Sequence, residues 1–389
     1  MSVIQLKDIY QQNLNLLVGA GASSGLFPTL WLDIKDSDNP DNEETIETLA
    51  TKLENQDLKS QKTLLFMHYF ANVIAPVKEF KYSYILVPHV CTAPPCLKCN
   101  KAKVIENYET FIESIILLLN QKDNFKRQCN LFTTNYDSCI PQVADKILKS
   151  GALDFSINDG TRGFFERTLS ARNFNTYICQ TGILGTNITD IPQLNLINVH
   201  GSAHWEKQFE SINVDYSQKP FPNLIPESAK EKLQEFQTLL LDSSKSTEDI
   251  VNYDKELSAQ EMSDFWTEYN KLPIVNPTKW KFHETVFEEH YYQMLRFLSY
   301  ELEKPNSVLI TFAFSFSDEH ILNLVKRSLT NPRLKAFVCC FNEKEKQIMH
   351  NRFKLFKNVQ LISFDEGVLD FTRFNNDVFN ADMLRETEQ

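Results

Sequence analysis

Glycine is scarce in this chain, with only ten in 389 residues. No internal repeat and no low-complexity tract appears, so solenoid and linker architectures are excluded. Long apolar runs are missing too. The clearest, Ile115-Ile116-Leu117-Leu118-Leu119, is core-sized and far short of the roughly 20 residues of a membrane span. The N-terminal MSVIQLKDIYQQN has neither a basic flank nor an apolar h-region, so no signal peptide is read and the expected compartment is the cytoplasm. Basic surplus is absent: the net charge is −11, which argues against an extended nucleic-acid surface. It also means that an anionic ligand must be held by local backbone donors rather than by the global field. Hydrophobic content of 42% and charged content of 23% are those of an ordinary soluble globular protein. Eight cysteines are spread along the chain, and in a cytoplasmic protein they should be mostly reduced. His89, Cys91, Cys96 and Cys99 cluster in PHVCTAPPCLKC, a set able in principle to bind zinc. The spacing fits no standard ligand pattern and a second CxxC is missing, so the preferred reading is loop cysteines and no metal.

The few glycines are not evenly spread. Gly19, Gly21 and Gly25 fall within seven positions, directly after the apolar run Leu14-Asn15-Leu16-Leu17-Val18. A buried strand, a tight glycine turn and a helix start together make a phosphate cradle, because glycine lets backbone N–H groups approach an anion. The same pattern also arises where a helix simply packs closely on a strand.

Around that turn the pattern is α/β. Strands are predicted at LNLLV, CNLFTT, LNLINV, SVLITFAF, LKAFVCCF and NVQLISF. Helices are predicted at ENYETFIESIILLLNQ, VADKILKS, HETVFEEHYYQMLRFLSYELEK, ILNLVKRSL and EKEKQIMHNRFKLF. The expected fold is α/β: a Rossmann-like parallel sheet with helices on both faces. One domain is expected over residues 1–389, carrying insertions at about 36–105 and 206–280. The first begins with a polar loop, DSDNPDNEE, and continues as helix to a Cys-containing loop; the second holds Pro220, Pro222 and Pro226 and then helical runs, with no strong strand pattern.

Ligands of open parallel sheets bind beyond the carboxyl ends of the strands. Polar residues gather at five such points: GAGAS, Thr133-Thr134-Asn135-Tyr136-Asp137, His200-Gly201-Ser202, Ser315-Phe316-Ser317-Asp318-Glu319-His320, and Asn342-Glu343. Singly each has a plain structural reading. Asp137 and Ser317 suit N-caps, Asn135 a turn, His200 a satisfied strand-end histidine, and Asn342 a loop.

The ordered set GAGAS, TTNYD and VHGS resembles the sirtuin NAD-binding signature GAG-x-S, T-x-N-x-D and HG. FSFSDEHI is similar to a C-terminal motif of bacterial sirtuin-like NAD hydrolases of anti-phage defence, and CCFNEKE to the sirtuin strand end whose Asn meets the adenosine ribose. About half the chain is covered and both insertions are unmatched. The resemblance implies NAD+ as substrate, with Gly19, Ala20, Gly21 and Ser23 at the pyrophosphate. It implies Asn135 at the nicotinamide ribose and attacking water, with Thr134 beside it and Asp137 in support. His200 would be the general base, and Ser315, Ser317 and Asn342 would lie on the phosphate or adenosine side. It further implies a homo-oligomer and a HerA-type ring ATPase as partner. LFPTLWLD stands where sirtuins carry an Asp-Phe-Arg segment, and the zinc module of the deacylating sirtuins needs two CxxC pairs.

The chemistry suits these residues. The pyridinium leaves neutral, so no acid need protonate it and the paired carboxylates of glycoside hydrolysis are not required. The expected activity is NAD+ hydrolysis to nicotinamide and ADP-ribose. Protein deacylation, a non-catalytic NAD sensor or assembly subunit, and a dehydrogenase (which needs a third in-phase glycine where Ser24 stands) remain as alternatives.

Overall fold

Residues 13–18 form a strand because five consecutive side chains, from Leu14 to Val18, are buried. Both faces of such a strand must be covered, and parallel sheets are where this happens. The computed structural model describes residues 4–85, 96–122, 126–181, 185, 188–217, 219–277 and 285–381. Its chain divides into two compact units, one of Met1–Leu26, Lys81–His200 and Glu289–Gln389, the other of Phe27–Phe80 and Gly201–Glu288.

The first unit is built on a seven-stranded, all-parallel sheet. Its strands are β1 (Asn13–Val18), β2 (Gln128–Thr133), β3 (Ser156–Asn158), β4 (Gln193–Asn198), β5 (Ser307–Phe312), β6 (Lys335–Cys339) and β7 (Val359–Ile362). The order across the sheet is β7-β6-β5-β1-β2-β4-β3. Its principal helices are α1 (Leu97–Asn120), α2 (Cys139–Ser150), α3 (Thr285–Glu303), α4 (Glu319–Ser328) and α5 (Glu343–Phe353). This is the α/β, Rossmann-like class expected. From β1 the chain crosses through α1 to β2, whereas from β5 it adds β6 and β7 in the opposite direction. The carboxyl ends of β1 and β5 therefore flank a topological switch point.

The short edge strand β3 escaped the sequence reading, since its three residues are only half-buried and carry no hydrophobic pattern. Phenylalanine fills the interior: Phe312 stacks on Phe374 with centroids 4.2 Å apart, and Phe111 packs on Phe371, Phe374 and Phe379. Much of the aromatic excess is thus core, although Phe164 and Phe165, at the tip of the small hairpin Thr161–Arg162/Thr168–Leu169, are fully exposed.

The second unit contains an antiparallel pair, Trp31–Asp36 with Asn39–Thr45, where the sequence read a polar loop from residue 36. Asp, Asn and Pro disfavour strands, but here Asp36 and Glu44 converge on Lys52, at 2.5 and 2.7 Å. Glu44 is almost fully buried and also accepts from Thr247 Oγ1 at 2.7 Å. Helices follow at Ile46–Asn55 and Lys59–Tyr69, the first started by Thr45, whose hydroxyl accepts from the Thr48 amide. A second hairpin, Trp205–Gln208/Ser211–Val214, lies where no strand was predicted. Phe66, Phe265, Trp266 and Tyr269 make an aromatic cluster in this unit. Among the described residues, no helix is long and apolar enough to cross a membrane.

Candidate functional site

Strand register brings the turns of the first unit to one level. Val18 pairs with both Phe312 and Thr133, and Thr133 with Asn198. One further rung follows each pair: Gly19 N donates to Phe312 O, Thr134 N to Val18 O, and Val199 N to Thr133 O. The turns after β1, β2, β4 and β5 consequently leave the same edge of the sheet.

At the switch point the glycine turn meets Ala313. A Cβ on Gly19 would lie 2.3 Å from Ala313 O and 2.9 Å from Phe314 Cα, both backbone atoms. Gly19 has φ −101°, so its need is closeness and not a special conformation. Only Gly25 of the three takes positive φ. Close packing of two strand ends therefore accounts for Gly19 without any ligand. Gly19→Ala is expected to lose about 2–3 kcal/mol, because backbone cannot yield as a side chain can. Gly21→Ala meets the Ala313 Cβ at 3.1 Å and its backbone oxygen no nearer than 3.4 Å, and should lose less than about 1 kcal/mol. Urea unfolding of both variants checks this; equal stabilities would refute the packing argument. Across the turn, Ala313 and Phe316 are left-handed, at φ 54° and 55°. For a buried Phe this is a strained state of order 1–3 kcal/mol. Arg352 Nη1 holds the segment by donating to the Ser315 and Phe316 carbonyls at 2.7 and 2.8 Å.

Ser23, Asp137 and Asn135 come together as a bonded group. Ser23 Oγ donates to Asp137 Oδ2 at 2.6 Å and lies 2.7 Å from Tyr108 OH and 3.2 Å from Asn135 Nδ2. Donor counting fixes the directions. Asp137 as a carboxylate only accepts, so the single Ser23 proton goes to it. Burial, aided by the Asp137 charge, pushes the Tyr108 phenol up, so its proton stays on and points to Ser23. Ser23 then accepts twice, from Tyr108 and from the Asn135 NH2. A flipped amide would set two acceptors against each other. The Asn135 carbonyl oxygen is left over: it is buried and has no hydrogen-bond partner. The rest of the residue is fixed, with its N–H on Thr133 Oγ1 at 3.0 Å and its backbone carbonyl accepting from Asn198 Nδ2 at 3.2 Å. Asp137 reaches Asn135 through Ser23 and closes its own turn by accepting from Cys139 N at 3.0 Å. Burial, with the Asp137 charge next, raises the Cys139 thiol well above its usual value, which favours the protonated form.

His200 follows β4, and its Nε2 lies 3.0 Å from Asp318 Oδ2. Tyr291 on α3 packs beside the ring, centroids 6.1 Å apart. Ser315 and Ser317 are exposed, their hydroxyls 2.8 Å apart. The N-cap of α4 is Asp318 and not Ser317. Asn342 caps α5, its Oδ1 accepting from Glu345 N at 2.9 Å. Ala20 and Gly21 are exposed at the head of a short 3-10 turn, Ala20–Ser23, and Thr134 is half-buried.

Tyr108 and Arg352 were not singled out from sequence, and Asp318 was read only as a member of the strand-end group 315–320, with no role of its own. Tyr108 and Arg352 sit in amphipathic helices and carry no local signal. Asp318 did: an Asp followed by Glu before an apolar helical run marks a helix start. His89 and Cys91 of the cysteine cluster lie outside the described residues, while Cys96 and Cys99 stand at the start of α1. Among the described residues no three His, Cys, Asp or Glu are grouped to hold a metal. No family model matches the chain, and no curated protein matches it.

Proposed function

We propose that the first unit binds NAD+ at the carboxyl edge of its sheet and hydrolyses the nicotinamide–ribose bond, giving nicotinamide and ADP-ribose. The observation that carries the reading is the orphaned Asn135 Oδ1 beside a switch point. A buried acceptor without a donor costs about 1–3 kcal/mol and calls for an explanation. A ribose hydroxyl or a water held against the anomeric carbon supplies the missing donor. The Ser23–Tyr108–Asp137 group would keep the amide turned for it. His200 would take the proton of the water or ribose as general base. Ala20 and Gly21 would offer backbone amides to the pyrophosphate. Ser23 would contribute through its position in the turn, since its hydroxyl proton goes to Asp137. Ser315 and Ser317 would face the phosphates, and Asn342, its Oδ1 engaged by the cap, would turn its Nδ2 to the adenosine ribose. Depletion of NAD+ in anti-phage defence, a cytoplasmic site, self-association and a HerA-type ring ATPase belong to this proposal through the sequence resemblance.

The test is incubation of the purified chain with NAD+ and chromatography of the products. Wild type should release nicotinamide and ADP-ribose, and Asn135→Ala and His200→Ala should each be slower by on the order of 10²-fold. Full turnover in both variants would sink the residue roles. NAD+ loss that depends on an acyl-lysine peptide would mark a deacylase instead, and tight NAD+ binding without turnover a sensor.

A further inference from the structure

His200 and Asp318 are 118 residues apart in sequence and follow strands that are three places apart in the sheet, with β1 and β2 between them. Their contact therefore joins turns from both sides of the switch point. We propose that Asp318 is a positioning residue that sets the tautomer of His200, so that Nδ1 is the ring atom that takes up the proton. This rests on the reading of His200 as the base at an NAD+ site.

The carboxylate of Asp318 is held from its own side. Oδ1 accepts from the amides of His320 and Ile321, at 2.9 and 3.1 Å, starting α4. Rotating the group would break both bonds and uncap the helix. Oδ2 is thereby fixed 3.0 Å from His200 Nε2, with the two side chains only 4% and 12% exposed. An ionised carboxylate accepts and cannot donate. Nε2 must therefore carry hydrogen, and in the neutral ring the lone pair belongs to Nδ1. The residue before His200 is tied to the sheet, since Val199 N continues the ladder to Thr133 O at 2.9 Å. With Tyr291 packed beside the ring, rotation about χ2 is restrained by a wall and by the bond to Asp318. A histidine held at one nitrogen by a carboxylate and reactive at the other is the arrangement that general-base catalysis needs.

The cap makes the test sharp. In Asp318→Asn, the amide oxygen is required by the His320 and Ile321 N–H groups, and Asn caps helices as well as Asp. Its NH2 must then face Nε2. A donor there forces Nε2 to accept and moves the ring proton to Nδ1. The tautomer should invert while α4 and the thermal midpoint stay as they are.

Long-range proton–nitrogen NMR on 15N-histidine-labelled full-length protein reads this directly, the His200 signals being identified by their loss in His200→Gln. The expected result is Nε2–H in wild type and Nδ1–H in Asp318→Asn. A wild-type Nδ1–H ring, or an unchanged tautomer in the variant, overturns the proposal. In NAD+ turnover, kcat should fall about 10²-fold with KM little altered, because no ligand contact is removed. Inverted tautomer with undiminished turnover would show that Asp318 positions nothing used in the reaction, and that also overturns it. Should wild type not cleave NAD+ at all, the tautomers still decide the Asp318 assignment, and the failure falls on the NAD+ reading alone.

Discussion

Acidification from pH 7 to pH 4 should remove about 6 kcal/mol of stability through two residues of the second unit, His68 and His204. Burial pushes each pKa down to about 4. For His204 the nearby positive charge of Lys78 acts in the same direction. His68 is 6% exposed within the helix Lys59–Tyr69, and Asn72 Nδ2 lies 3.2 Å from its Nδ1. An amide donating to that nitrogen holds it unprotonated. His204 is fully buried against Tyr216, with ring centroids 5.4 Å apart, and neither of its ring nitrogens has a hydrogen-bond partner. A second N–H on that ring would be a buried charge, and burial with Lys78 outweighs what the Asp215 backbone and carboxylate offer it. In the unfolded chain both rings titrate near 6.5.

The folded state thus refuses protons that the unfolded state takes up. Stability is fully present above pH 6.5 and falls as pH drops towards 4, by about 3 kcal/mol for each ring. Carboxylates act in a lower window. Glu261, which accepts from Ser258 N and faces Lys232, has its pKa lowered to about 2, so its contribution is lost only below its unfolded value near 4.3. Urea unfolding at pH 7, 6 and 5 separates the two. Wild type should lose stability steadily over that range, and His68→Gln and His204→Gln should each flatten the slope. A wild-type curve flat from pH 6.5 to 4.5 would show that these rings are charged, or solvated, in the folded protein.

The parallel sheet was legible because six of its strands are mainly apolar runs followed by breakers. Val18, Thr133, Asn198 and Phe312 each precede a turn rich in small and polar residues, and the structure sets those turns on one edge. The polar hairpin from Trp31 to Thr45 was not legible, because it depends on Lys52, a residue on the following helix, to gather its acids. Helix spacing likewise ran through residue 57, where the structure turns: Asp57 has φ 54° and separates the two helices. In the candidate site, Asn135, Asp137 and His200 were read as separate strand-end residues. What no local pattern could reveal is that Ser23 joins two of them and that Asp318 holds the third. Such pairings arise only once β1, β2, β4 and β5 lie side by side. The strands also carried an unread signal of their own: LNLL, CNLF and LNLI each place an asparagine at the same step of an otherwise apolar strand.

Those three asparagines predict the largest effect of a single substitution. Asn130→Leu should cost about 3–5 kcal/mol, and it should cost more than changing Asn15, Asn130 and Asn195 to Leu together. The three are in register across β1, β2 and β4 and buried. Asn195 Nδ2 donates to Asn130 Oδ1 at 2.8 Å, and Asn130 Nδ2 to Asn15 Oδ1 at 2.9 Å. The row ends on Gln193, which donates to Asn195 Oδ1 at 2.7 Å, and on Ser307 Oγ, which accepts from Asn15 at 2.9 Å. Removing the middle member strands one donor and one acceptor in the core, at about 1–3 kcal/mol each, beyond the bonds lost. Removing all three strands fewer, because Gln193 still donates to Thr176 O and Ser307 to Glu301 O, both at 2.7 Å. Urea unfolding of the single and triple variants decides; a triple cost equal to the sum of three singles would mean that the row is not a network. The row also does what leucines cannot. In strands apolar on both faces, slipping by one residue exchanges one apolar side chain for another, whereas here it would bury unmatched amides. Register in turn sets Val18, Thr133 and Asn198 level and so places the Gly19, Asn135 and His200 turns. The triple variant should accordingly keep most of its stability while the amide NMR signals of those turns broaden or double, and sharp single signals there would show that register is fixed by packing alone.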